Sequence, residues 1–314
     1  MNSNTSTHQD PIVSRRQQLI AAALVFTGAL CFSAKAVFIK LAYQYNIDSI
    51  SLLTLRMVFS MPLFLILAWW SLRKKQSAYT EPTRREWLYI VLLGILGYYL
   101  ASMLDFLGLQ YIGASLERLI LFVYPTMVLI LSAVFLRQPI QRDQYIALTL
   151  TYVGVALAFI GGIELNEKRD LFLGGGLIFL SAFVYACYLI GSGKLLPKVG
   201  TLRFTSYAMM SACFGVLIHH GLLYQWRLFH FAPEVYQLSI VMAVLSTVLP
   251  AFMISEGIRL IGAGNAAIIG SVGPISTIIL AYIFLGERLG TWQWVGATLV
   301  IAGVFWISFR KHRR

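Results

Sequence analysis

Ten runs of mostly apolar residues, each separated from the next by a short polar stretch, set the plan of this chain. They lie near residues 18–42, 49–71, 87–109, 115–136, 143–163, 173–194, 203–224, 236–260, 265–286 and 291–309. Each is close to the roughly 20 residues that a helix rising 1.5 Å per residue needs to cross a hydrocarbon layer of about 30 Å. No run alternates apolar and polar positions as a barrel strand does, and backbone groups in lipid must be satisfied within their own segment, so the runs predict helices. The expected fold is all-α, an integral membrane bundle of ten transmembrane helices. Residues 1–17 are polar and carry Pro11, which reads as a disordered cytoplasmic tail, and residues 310–314 read as a basic cytoplasmic tail. No small-residue cleavage site clearly follows the first run, so no cleavable signal is read there.

Part of the pattern is written twice. Adding 149 to the numbers of Gly108 to Val155 lands on Gly257 to Val304, and GLQYIGA becomes GIRLIGA without a gap. Pro125 falls on Pro274, Phe135-Leu136 on Phe284-Leu285, Gln144 on Gln293 and Gly154-Val155 on Gly303-Val304. About a third of the 48 positions are identical, several times the chance level for so apolar a chain, which signals an internal repeat. Residues 18–163 and 172–309 are then two five-helix units. Because five is odd, the second enters the membrane from the opposite side, giving two inverted repeats, the arrangement of many secondary transporters.

Composition fixes the solvent. With 58% hydrophobic and 12% charged residues and a mean hydropathy of +0.74, the chain has too little polar surface for a soluble body of 314 residues. A net charge of +12 would suggest nucleic acid in a soluble protein, but here the basic residues sit in short loops between apolar runs and orient helices, so no nucleic-acid partner is expected. With the N-terminus inside, 17 basic residues face the inner side and four (Lys168, Arg169, Arg227, Arg288) the outer, which puts both termini in the cytoplasm. Cys31, Cys187 and Cys213 lie inside apolar runs without pairing or metal spacing.

Two tandem five-helix units, each with a G-(L/I)-x-x-I-G-A turn, a mid-helix proline, a Phe-Leu ending and a glycine-valine in the last helix, resemble the EamA-like transporters of the drug/metabolite transporter superfamily. The resemblance spans roughly residues 21–308. It implies a ten-helix bundle around a central cavity, exporting amino acids or other small metabolites, often from a bacterial inner membrane.

The charges left inside the helices are the sharpest chemical feature. Each costs at least about 2.5–3.5 kcal/mol at the middle of a membrane helix, so such residues normally face the bundle interior. Counting along the helices puts Lys35 and Arg56 roughly 6–8 Å, and Asp105, Glu117 and Arg118 roughly 10–13 Å, toward the outer side of their span midpoints. Tyr98, Ser102 and Asp105 share one helix face, as do Glu117 and Tyr124. A polar pocket in the outer half of the first repeat satisfies them. It reads either as a static ion-pair network or as a site where a carboxylate, Asp105 before Glu117, takes up a proton while Lys35, Arg56 or Arg118 meets an anionic group. Glu117 and Arg118 begin their helix, so reaching the headgroups is a third option. Their repeat partners are Ala266 and Ala267, which makes the site asymmetric.

Other residues complete the candidate set. Tyr185 and Tyr188, with Ser181, line one face of the sixth run and suit a cavity wall or plain packing. Pro125 and Pro274 predict mid-membrane kinks, and Gly270 and Gly273 a small face for close helix approach. Glu256 reads as solvated, Lys40 as snorkelling, and His219 and His220 as an exposed polar helix end.

No phosphate-binding glycine loop, no His/Glu metal pair at i, i+4 and no aspartate-rich motif is present, so neither an enzyme nor a resident metal or cofactor is expected. The expected partners are a small-molecule substrate and the lipid bilayer, with protons as a candidate coupling ion and a homo-oligomer left open. The leading expectation is an inner-membrane secondary transporter exporting a small polar metabolite, an amino acid or a related compound. The alternative is a sensor or assembly factor that keeps the fold without transport.

Overall fold

A computed structural model describes residues 15–73, 81–136, 142–163, 168–225, 228–270 and 272–311. In chain order the helices are α1 (Arg15–Tyr43), α2 (Ser49–Arg73), α3 (Arg84–Gly94), α4 (Ala101–Tyr111), α5 (Ala114–Leu121), α6 (Tyr124–Leu136), α7 (Arg142–Ile163), α8 (Lys168–Val199), α9 (Thr201–Tyr224), α10 (Pro233–Ala243), α11 (Leu249–Ile269), α12 (Val272–Leu285) and α13 (Thr291–Lys311). Seven helical stretches among the described residues are long and apolar enough to cross a membrane: Arg16–Tyr43, Ser49–Ser71, Arg84–Tyr111, Ala114–Phe135, Arg169–Val199, Thr201–Tyr224 and Pro233–Gly262. Two shorter apolar pieces, Thr149–Gly161 and Val272–Leu285, lie in the fifth and ninth of the predicted runs. The protein is a multi-pass helical membrane protein. Its outer surface agrees, since Ile66, Phe172, Leu222 and Ile283 are each at least 60% exposed, which lipid tolerates and water does not.

Local chemistry sets the helix starts. Asp48 Oδ1 accepts from Ile50 N and Ser51 N at 3.0 and 2.8 Å, capping α2. Thr83 and Glu86 form a reciprocal capping box at α3, and Pro233 opens α10 where its missing N–H costs nothing. α1 begins at Arg15, within the stretch assigned from sequence to a disordered tail.

Two structural punctuation marks recur at the sequence offset. A π-helical turn, Ile95–Leu100, joins α3 to α4, and a second, Val244–Val248, joins α10 to α11. A bend at Ile112-Gly113 precedes α5, and Gly262, at φ 79°, bends α11 at the position 149 residues later. Only glycine adopts that φ cheaply, so Gly262 ends one helix and lets the chain start the next. Helix continuity then fails again, after Leu121 in one half and after Ile269 in the other. Pro125 and Pro274 therefore do not kink continuous helices as expected. They occupy the first turns of α6 and α12, where no intrahelical hydrogen bond is lost.

The packing partners pair up in the same way. α7 lies along α13 and α2 along α9, while α1 contacts α11 as α4 contacts α8, and α1 contacts α12 as α6 contacts α8. The α7–α13 seam is held by glycine. A Cβ on Gly154 would lie 2.7 Å from the Gly296 carbonyl oxygen and 2.8 Å from Val300 N, so the two backbones touch. The expected close contact at Gly273 is looser, since an added Cβ there meets only Ser33 Oγ, at 3.3 Å.

Candidate functional site

A cavity opens between α1, α2, the first π-helical turn, α4, α5, α8 and the second half's α11 and α12. Its empty space is about 1130 Å³, any part continuous with solvent included. Helical spacing aims the lining side chains. Phe32 and Lys35 come from one face of α1, and Tyr98, Ser102 and Asp105 from one continuous face that runs through the π-helical turn into α4. Arg56, Arg118, Tyr124, Ser181, Tyr185 and Tyr188 complete the first-half and α8 walls.

Of the fourteen pocket, kink and close-packing candidates read from the sequence, all but Glu117 and Pro125 line this one cavity, Gly270, Gly273 and Pro274 included. Positions 149 residues apart both line it: Gly97 and Ser246, Tyr98 and Thr247, Ser102 and Ala251, Asp105 and Ile254, Tyr124 and Gly273. The chemistry is unequal, because every charged lining residue belongs to the first half.

Each buried charge is held differently. Lys35 Nζ meets Asp105 Oδ2 at 2.5 Å, both side chains at most 3% exposed, and the ammonium sits 4.6 Å above the Phe32 ring. Arg118 donates from Nε to Thr277 Oγ1 at 2.9 Å and from Nη2 to the Phe32 carbonyl at 3.0 Å, tying α5 to α12 and α1. Arg56 lies 4.9 Å above the Phe106 ring, with no ion pair and no hydrogen bond from its guanidinium among the described residues. Glu117 is fully buried, adjoins Asp105, and neither of its oxygens has a donor among the described residues. A hydrogen bond between the two carboxyls needs a proton on one of them. Neither Glu117 nor Arg118 reaches the headgroups, because both sit inside the bundle at 0 and 5% exposure.

The tyrosines form a continuous aromatic wall. Tyr98 and Tyr188 share a hydroxyl hydrogen bond of 2.7 Å, Tyr185 stacks on Tyr188 at 5.8 Å, and Tyr124 meets Tyr185 edge-on at 5.3 Å. The hydroxyls of Tyr124 and Tyr185 make no hydrogen bond among the described residues, and both residues line the cavity.

Several sequence readings need correction. His220 is fully buried and meets Ser51 Oγ at 3.2 Å, while His219 Nδ1 meets the Tyr99 hydroxyl at 2.8 Å, because α9 packs along α2 and the π-helical turn. Lys40 does not snorkel outward but donates to the Leu109 carbonyl at 3.1 Å, near the end of α4. Glu256 is tied to Arg259 and Thr201 rather than simply solvated.

Glu287 was not singled out from the sequence, since a lone acidic residue in a short loop carries no signal of its own. Its Oε1 and Oε2 accept from Ala114 N and Ser115 N at 2.8 and 2.9 Å, so a residue from the loop after α12 caps α5, whose own Gly113 has no side chain to do so. Glu287→Gln keeps one acceptor and removes the charge. It is expected to lower the stability of purified protein by about 1 kcal/mol, read as a lower melting temperature, and an unchanged melting temperature would remove the clamp.

Comparison with known proteins places these features in context. The EamA-like transporter family model matches residues 19–160 and 172–309. The uncharacterized transporter YcbK of Bacillus subtilis is 30% identical over 301 residues, covering 94% of this chain and 95% of that protein. An uncharacterized transporter of Archaeoglobus fulgidus is 22% identical, covering 90 and 96%. The uncharacterized inner membrane transporter YicL of Salmonella typhimurium is 25% identical, covering 74 and 76%. A crystal structure of a protein only 13% identical superposes with a TM-score of 0.66 over 93% of this chain and 98% of that one, a likeness of fold alone.

Proposed function

This chain belongs to the EamA-like transporter family, and from that premise we propose that it is a secondary transporter of ten membrane-crossing helices in two inverted five-helix repeats, exporting a small polar metabolite across an inner membrane by alternating access. The observation that carries the reading is the cavity itself. Positions 149 residues apart in the two halves both line it, and so do buried charges of the first half. A bundle that only needed to pack would fill that volume with apolar side chains, because buried charges and empty space both cost stability. The repeated π-helical turns, helix breaks and paired helix contacts support two equivalent units that rock against each other.

The carboxyls supply a route for protons. Asp105 holds Lys35 on one side and adjoins Glu117 on the other, so gain or loss of one proton changes whether the carboxyls repel or bind each other. Flux of metabolite mixtures into proteoliposomes holding the purified protein tests the transport claim. Substrate-dependent flux is expected, and Asp105→Asn, whose amide oxygen still accepts from Lys35, should fold and abolish its pH dependence. Absence of flux for every mixture would favour the sensor or assembly role, and unchanged pH dependence in Asp105→Asn would remove the proton role.

A further inference from the structure

Resting on the reading of the cavity as a substrate route, we infer that its substrate is a small organic monoanion with a flat aromatic or unsaturated body, the carboxylate seated on Arg56 and the body against the Tyr98, Tyr185 and Tyr188 wall. Two independent observations lead there. The first is the state of Arg56. Its side chain lines the cavity at 2% exposure, its Nε is buried without a partner, and its guanidinium forms no hydrogen bond or ion pair among the described residues. The other two cations are engaged, Lys35 by Asp105 and Arg118 by Thr277 and the Phe32 carbonyl. The Phe106 ring covers one face of Arg56, and its terminal Nη donors, without a partner among the described residues, form a fork that matches a carboxylate.

The second observation is the sum of charge. Three cations, Lys35, Arg56 and Arg118, are buried with two carboxyls, Asp105 and Glu117, so the cluster carries a surplus positive charge whichever carboxyl holds a proton. An uncompensated buried charge is costly, and a bound anion removes that cost where an amine adds to it. The aromatic wall alone would also accept an amine through its ring faces, but the surplus charge on the same cavity opposes one. The free hydroxyls of Tyr124 and Tyr185 supply further donors, suited to an acceptor group on the ligand.

A matched set of probes tests this on the purified full chain: 3-phenylpropionate, 3-phenylpropylamine, 3-phenylpropanol and phenylalanine, each titrated by calorimetry and by melting temperature. The propionate is expected to bind about tenfold or more tighter than the other three and to raise the melting temperature. Arg56→Gln should weaken its binding about tenfold or more, while Arg56→Lys, which keeps the charge without the fork, recovers part of the affinity. Equal binding of the amine or alcohol, no binding of the propionate at millimolar concentration, or unchanged affinity in folded Arg56→Gln would overturn the inference. If Arg56→Gln does not fold, undiminished affinity in Arg56→Lys would overturn it instead. Flux separates the two levels of the reading. Propionate that binds while no metabolite mixture is carried into proteoliposomes refutes transport and leaves the anion site standing, whereas carriage of the amine in preference refutes the anion site and leaves transport standing.

Discussion

Replacing Lys35 with methionine is expected to cost about 3–5 kcal/mol of stability and to remove most of the folded protein, as is leucine at Asp105, while the double replacement restores most of it. The asymmetry follows from burial. Both partners of the 2.5 Å pair are at most 3% exposed, so removing one leaves the other as an uncompensated charge in a medium that solvates it poorly. Removing both eliminates the desolvation cost along with the attraction, and apolar side chains of similar volume fill the space. The yield and melting temperature of detergent-purified single and double variants measure this directly. Additive losses would mean the pair does not act as a unit. The double variant also separates bracket from pathway: on the proposed transport role it folds and yet carries no substrate, whereas flux that returns with folding would leave the pair a bracket alone.

Gly154→Leu in α7 is expected to be nearly as damaging, for a steric reason. With the Gly296 carbonyl 2.7 Å and Val300 N 2.8 Å from where a Cβ would stand, the obstruction is backbone and cannot rotate away. α7 and α13 must then move apart along their whole seam, at a cost at or above the upper end of the about 1–3 kcal/mol usual for overpacking. Gly154→Ala should fall between wild type and Gly154→Leu in melting temperature, and Ile283→Leu, at a position 63% exposed, should match wild type. A Gly154→Leu protein as stable as Ile283→Leu would show that the two helices do not touch there.

How much of this was readable from sequence depends on the kind of signal. Charges inside apolar runs are expensive and few, so Lys35, Arg56, Asp105, Glu117 and Arg118 announce themselves, and counting 1.5 Å per residue puts them at similar depths. The faces of Tyr98, Ser102 and Asp105, and of Tyr185 and Tyr188, follow from helical spacing, and those residues line one cavity. What the spacing misses are features without a residue signature. The π-helical turns widen the helix between ordinary residues, Ile95 to Leu100 and Val244 to Val248. Glu287 acts through a backbone in the other half of the chain, and Gly154 meets Gly296, not its own repeat partner Gly303, so neither contact can be read from local pattern or from the 149-residue offset. His220 was misread because a polar helix end looks the same whether it meets water or Ser51.

The most direct test of a cavity that opens in turn to each side is the accessibility of Ser102→Cys, which lines it, in a protein whose Cys31, Cys187 and Cys213 have been replaced by alanine. A membrane-impermeant thiol reagent is applied to right-side-out and to inside-out vesicles. Alternating access predicts labelling of Cys at 102 from both faces of the membrane, while the vesicles stay tight to the reagent. Labelling from one face alone, however long the exposure, would contradict it.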